Sequence, residues 1–141
     1  MSKILVVDDS SLIRQCVAKL LEQAGHTATT AANGKEAWAM LYAGVPDLIV
    51  LDLMMPQMDG LTFLRLLRHN HFWNETPVIV LTGHADEEHM LDQAREMGVS
   101  DVIFKGTAAI ESVLNRVGEL NEVRSRRQSI HQNRMRRMSV A

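Results

Sequence analysis

One cysteine, three prolines and six aromatic residues are all that this chain of 141 residues has of each. A single Cys16 excludes an internal disulfide and fits a reducing, cytosolic setting. It lies at helical spacing among Leu12, Ile13, Val17, Leu20 and Leu21, so it reads as a core filler. No stretch of about 18 apolar residues is present, which excludes a membrane-spanning helix and with it membrane insertion. The opening Met1-Ser-Lys-Ile-Leu-Val-Val-Asp-Asp9 turns acidic early and carries no signal-peptide cleavage pattern, so a cytoplasmic protein is expected. Acid is missing altogether from residues 123–141, which hold six arginines. Residues 1–122 hold nine Lys and Arg against seventeen Asp and Glu, a net of −8. The overall charge of −2 therefore hides an acidic body and a basic tail of +6. The expected organisation is one domain over 1–122 and a flexible C-terminal tail over 123–141.

The body is organised around residues 47–60. Leu48 to Leu51 is an apolar run too short for a helix and without polar alternation, as in a strand buried on both faces of a parallel sheet. It ends in Asp52, and Met55-Pro56 and Asp59-Gly60 then break the strand and open a new turn. Similar runs lie at Lys3 to Val7, Val78 to Leu81 and Val102 to Phe104, with a weaker Thr-rich strand at Thr27 to Ala31 suited to a sheet edge. Helical patterns alternate with them. One is capped by Ser10 or Ser11 and ended by Gly25, another follows Asn33-Gly34, and a third starts at Asp59 or Gly60. A fourth follows a cap at Asp86, and a last runs from about Thr107 to Leu120. Five strands alternating with five helices imply right-handed crossovers and a doubly wound α/β fold, a five-stranded parallel sheet in the flavodoxin-like order 2-1-3-4-5.

In such a sheet the carboxyl ends of all strands share one edge. Asp8 and Asp9, Asp52, Thr82 and Lys105 end four of them and are expected to converge. Carboxylates roughly 5 Å apart repel by about 3 kcal/mol per pair at an effective dielectric near 20, so cations are needed there. Mg²⁺ suits one or two carboxylates with waters and a phosphoryl oxygen, and Lys105 adds a second positive charge. A strand-end carboxylate is a competent nucleophile toward phosphorus, and metal, lysine and hydroxyl together neutralise the transferred group.

Over about residues 2–121 the chain resembles the receiver domain of two-component response regulators, of the stand-alone, chemotaxis type. The five signature positions match in type and order, and Asp52 to Gly60 reads Asp-x-x-Met-Pro-x-Met-Asp-Gly without departure. The resemblance implies Mg²⁺-dependent phosphorylation of Asp52 by a histidine kinase or phosphotransfer protein, switching the binding of a downstream protein. It implies Asp9, Asp52 and the main-chain oxygen of Met54 as direct metal ligands, with Asp8 acting through water. Lys105 would pair with Asp52 or its phosphate, and Thr82 would hydrogen-bond the phosphoryl group. Such a protein acts weakly on its own phosphate and is no turnover enzyme.

Two positions depart from the pattern. Receivers usually carry Tyr or Phe three residues before the lysine and Pro after it; here these are Val102 and Gly106. They leave a pseudo-receiver, a binding module not regulated by phosphorylation, as the alternative. A haloacid-dehalogenase-type phosphatase needs a second Asp two residues after the nucleophile, where this chain has Met54.

Among six histidines none has zinc-site company, and His69 and His71 read as solvated. His84, two residues after Thr82, could tune water access at the lip of the site. Trp38, Phe72 and Trp73 read as packing residues. The tail repeats Arg-x-Arg-Arg-x-Ser-aliphatic ten residues apart, ending at Ser129-Ile130 and Ser139-Val140, a pattern that resembles basophilic serine-kinase targets. Three readings stand open for it: a solvated disordered segment, a patch for nucleic acid or another anionic partner, and serine phosphorylation.

Overall fold

The computed structural model describes residues 2–55, 57–83, 88–106 and 108–139, the side chains of residues 124, 125, 128 and 139 excepted. Pro56, His84, the cap expected at Asp86 and the helix start expected at Thr107 lie outside the described residues. Five strands, β1 (Lys3–Val7), β2 (Thr27–Ala31), β3 (Leu48–Leu51), β4 (Val78–Thr82) and β5 (Asp101–Phe104), alternate with five helices. The helices are α1 (Ser11–Gln23), α2 (Gly34–Leu41), α3 (Gly60–Arg68), α4 (Glu88–Glu96) and α5 (Ala109–Ser139). All pairings are parallel and the order is β2-β1-β3-β4-β5, as the alternation predicts.

The strands sort their side chains by period two into two cores. Leu5, Val7, Ile49, Leu51, Val78 and Val80 face α2, α3 and α4, packing on Ala37, Leu41, Phe63, Leu64, Leu67, Leu91 and Ala94. Ile4, Val6, Leu48, Val50, Ile79 and Leu81 face the other way, against Val17, Leu21, Val113 and Val117 of α1 and α5. Each fully buried aliphatic side chain contributes about 1.5–3 kcal/mol, so these two layers hold the sheet edges rigid. β2, paired only with β1, is the Thr-rich edge strand.

Local sequence sets the helix starts. Ser10 Oγ accepts from the Ile13 N–H at 3.3 Å, Asn33 Oδ1 from Glu36 N–H at 2.8 Å and Asp59 Oδ1 from Thr62 N–H at 2.7 Å. Each cap satisfies an otherwise orphaned amide and is worth about 1 kcal/mol. Gly98, at φ +76°, ends α4 in the left-handed region.

Four expectations are corrected. Leu12, placed on the buried stripe of α1, is 71% exposed, and Cys16 is only half-buried. Phe72, read as a packing residue, is 79% exposed, whereas Trp73 at 4% anchors a T-shaped cluster with Trp38 and Tyr42. The last helix does not stop near Leu120 but runs on through the tail to Ser139. Residues 119–139 contain no Gly or Pro and are rich in Arg, Glu, Gln and Met, which favour helix; arginines near the C-terminus also suit the helix dipole. The helix is tied down at Asn121, whose side chain accepts a short hydrogen bond from the Ser2 hydroxyl.

Candidate phosphoacceptor site

The carboxyl ends of β1, β3, β4 and β5 meet on one edge. Main-chain bonds carry the register past the strands: Asp8 N–H donates to Ala31 C=O at 3.1 Å, Asp52 N–H to Val7 C=O at 2.9 Å and Lys105 N–H to Thr82 C=O at 2.7 Å. The carboxylates of Asp8, Asp9 and Asp52 thereby offer oxygens that all lie within 4.8 Å of one another. Asp8 and Asp52 are buried at 1% and 3% exposure, while Asp9 faces solvent.

Lys105 bridges the two buried acids. Its Nζ stands 2.9 Å from Asp8 Oδ2, an ion pair without the alignment of a hydrogen bond, and donates to Asp52 Oδ2 at 3.3 Å. The Asp52 pairing that the resemblance implies is present, and Asp8 is a second and closer partner. Asp8 is further held by the Ser10 N–H on Oδ1 at 2.9 Å, and the Arg14 guanidinium donates to its carbonyl at 2.7 Å. Asp52 Oδ1 accepts the Met54 N–H at 3.2 Å.

Burial and the Asp8 charge push Asp52 up to about 6, against the pull of Lys105 and the Met54 N–H. Burial alone would lower the Lys105 ammonium, but its contacts with Asp8 and Asp52 outweigh that and leave it above its ordinary value. One lysine between two buried carboxylates is too little positive charge. The excess negative charge, with oxygens converging from three residues, is the donor set a hard divalent cation such as Mg²⁺ takes. The Thr82 hydroxyl is fully buried and has no hydrogen-bond partner among the described residues. A buried orphan of this kind costs about 1–3 kcal/mol unless a ligand satisfies it.

The loop after β3 is held by close backbone approach. Gly60 N–H donates to Leu53 C=O at 2.9 Å, and a Cβ on Gly60 would sit 2.1 Å from the Asp52 carbonyl oxygen. Gln57 takes φ +55°, a strained value for a non-glycine residue. Asp59 caps α3 through its side chain, as its turn signature implies. Beside the site Met54, Met55 and Met90 line an open cavity of 470 Å³ with Asp9 and Asp59. A cavity of 490 Å³ lies at the opposite pole, between the amino ends of the strands and α5, far from these carboxylates.

Val102 is half-buried against the α4-side core, and Phe104, in register with Thr82, is 45% exposed. Sequence reasoning missed Arg14. Its only signal was a cation six residues after Asp8, one helical turn into α1. It also missed Arg68, whose guanidinium donates to the carbonyls of Met97, Thr76 and Gly98 at 2.8, 2.8 and 3.3 Å and ties α3 to the end of α4.

Residues 4–117 match the response regulator receiver domain family. The phosphate regulon transcriptional regulatory protein PhoB of Pseudomonas aeruginosa is 36% identical over 121 residues, covering 82% of this chain and 52% of that protein. A protein-glutamate methylesterase/protein-glutamine glutaminase of Archaeoglobus fulgidus is 37% identical over 120 residues, 84% of this chain and 34% of its own. The chain thus spans about half and about a third of the length of these two relatives. Among solved structures, the Vibrio cholerae chemotaxis protein CheY4 superposes with a TM-score of 0.77 at 32% identity, covering 85% of this chain and 98% of that one. The response regulator TrrA of Thermotoga maritima, solved with Mg²⁺ and BeF, gives 0.74 at 28% identity over 85% of this chain and 99% of its own.

Proposed function

The chain belongs to the response regulator receiver domain family, and we propose that it accepts a phosphoryl group on Asp52 and thereby switches the binding of a protein partner. The observation that carries this is the meeting of Asp8, Asp9 and Asp52 with Lys105 and the orphaned Thr82 hydroxyl at one sheet edge. A carboxylate oxygen of Asp52 attacks the phosphorus of a phosphohistidine on a histidine kinase or phosphotransfer protein. The O–P bond forms, the N–P bond breaks, and the imidazole leaves with its electron pair. Asp52 must be ionised to attack, and Lys105 favours that form at neutral pH. Asp9, Asp52 and the Met54 carbonyl would hold Mg²⁺, with Asp8 acting through water, and the metal would supply positive charge to offset the carboxylates and the transferred group. Lys105 and Thr82 then contact the remaining phosphoryl oxygens. The receiver unit spans 1–122, and residues 123–141 act as a separate basic appendage. Localisation in the cytoplasm accords with this partner class; among the described residues no helix is long and apolar enough to cross a membrane.

A second reading rests on β5. Without an aromatic at 102 the usual inward-swinging ring is missing, and Phe104 is the nearest aromatic on the strand. A pseudo-receiver that binds its partner unphosphorylated would tolerate this. Intact mass after treatment with a small phosphodonor and Mg²⁺ separates the two. Wild type and Asp59→Asn gain one hydroxylamine-labile phosphoryl group and Asp52→Asn gains none. Labelling that persists in Asp52→Asn and maps elsewhere removes the assignment, and no labelling of wild type favours the pseudo-receiver.

A further inference from the structure

Beyond Asn121, α5 still borders the cavity at the amino ends of the strands through Val123 and Arg127, and then runs on past it. Every described side chain from Glu122 to Met138 is exposed, including Val123, Ile130, Met135 and Met138, so no single face of this helix is packed. At 1.5 Å per residue the seventeen residues from 123 to 139 reach about 26 Å.

The placement of the arginines says what such a helix can meet. At 3.6 residues per turn, Arg127 and Arg134 share one side, Arg126 and Arg137 a second, and Arg136 a third. The amide residue Gln132 falls beside Arg136, and no acid interrupts the series. A membrane-surface helix needs a continuous apolar face, but here Val123 and Ile130 are separated from Met135 and Met138 by Arg127 and Arg134. Self-pairing as a coiled coil is disfavoured too. The three–four seam of Val113, Val117 and Leu120 continues through arginines, His131 and Arg134, which would stack cation on cation. An acidic protein surface would meet one side of the helix and leave the others idle. A groove with two phosphate walls and a floor of base edges meets three sides at once.

We propose that residues 123–139 of α5 form a duplex-DNA-binding helix, seated in the major groove with arginines on both phosphate walls. The helix, about 10–12 Å across with side chains, matches the roughly 12 Å width of the B-form major groove. The deep, narrow major groove of A-form RNA does not admit it. The acidic body, at −8, is repelled by the same phosphates, so the seated part of the helix has to lie away from it, and past Arg127 every described side chain is exposed. Phosphate contacts dominate, and the binding is weakly selective and steeply salt-dependent.

The test uses the full chain and a fluorescein-labelled 20-base-pair DNA duplex, read by anisotropy from 50 to 200 mM NaCl. With four to six phosphates engaged, log K falls against log salt with a slope of about −4 to −5, a loss of more than about a hundredfold over that range. The triple variant Arg134→Gln, Arg136→Gln, Arg137→Gln loses at least about tenfold in affinity at 50 mM salt, and its slope becomes shallower by about 2.7. An unchanged melting temperature and unchanged phosphodonor labelling show that its body is intact. No anisotropy change with 50 μM chain at 50 mM salt overturns the proposal, as does wild-type affinity in the triple variant. Equal or tighter binding of an RNA duplex, or of polyglutamate, assigns the helix to another partner. Arginine-dependent self-association without DNA, seen by light scattering, assigns it to the acidic body of a second copy.

Discussion

Replacing Asp52 by Asn should stabilise the metal-free protein, and by an amount that grows with pH. Asp52 is 3% exposed, and burial with the Asp8 charge raises its pKa from 3.8 to about 6. The native state therefore holds this proton more tightly than the unfolded chain does. Between pH 4 and 6 the unfolded carboxyl ionises while the native one resists, so stability falls as pH rises through that window. A shift of this size corresponds to about 3 kcal/mol once both states are ionised. Asn resembles the neutral acid and can keep the Met54 N–H contact, so it removes most of that cost. We expect Asp52→Asn to exceed wild type by about 0.5 kcal/mol at pH 4 and about 3 kcal/mol at pH 8, or roughly 10 °C in melting temperature. Urea titrations in chelator at half-unit pH intervals read the difference directly. Saturating Mg²⁺ should shrink it, because the cation stabilises the ionised wild-type site. A difference that is flat across pH, or a variant less stable than wild type at pH 8, would refute the charge account of the site.

Asp9→Ala should weaken Mg²⁺ binding at least tenfold in calorimetry while leaving the melting temperature without metal unchanged or higher, since a repelling and exposed charge is lost; unchanged affinity would remove Asp9 from the ligand set. Gly60→Ala forces a methyl against the Asp52 carbonyl at 2.1 Å, so it should cost more than about 2 kcal/mol in urea and slow phosphodonor labelling; a neutral effect on both would mean that the loop relaxes freely. Arg68→Ala should destabilise by about 2–4 kcal/mol by orphaning the carbonyls of Met97 and Thr76, with labelling kinetics preserved once folded; a change below about 0.5 kcal/mol would show that water replaces the guanidinium.

Much of this protein is written locally. Apolar runs of four or five residues that alternate with helical periods leave few topologies, because parallel strands need crossovers of fixed hand. The strand order and the edge at which Asp8, Asp52, Thr82 and Lys105 meet follow from that alternation, since a strand's last polar residue is at its carboxyl end in any register. The helix starts near Ser10, Asn33 and Asp59 were legible for the same reason: each cap bonds an amide three residues away. What the tertiary structure decided is which faces are covered and by what. Leu12 has the spacing of a core residue, but periodicity sets only a direction, and among the described residues nothing covers it, leaving it 71% exposed. Phe72 and Trp73 are neighbours of similar character, yet only Trp73 turns into the aromatic cluster. Arg68 bonds carbonyls near residues 76 and 97, a pairing set by how α3 and α4 pack, which no local spacing encodes. Lys105 reached Asp8 more closely than Asp52 because the two acids stand side by side only once β1 and β3 pair. The tail lacked any buried partner that would call for a helix. It continues one because α5, already nucleated and packed on the sheet, meets no breaker after Gly118 and propagates at small cost.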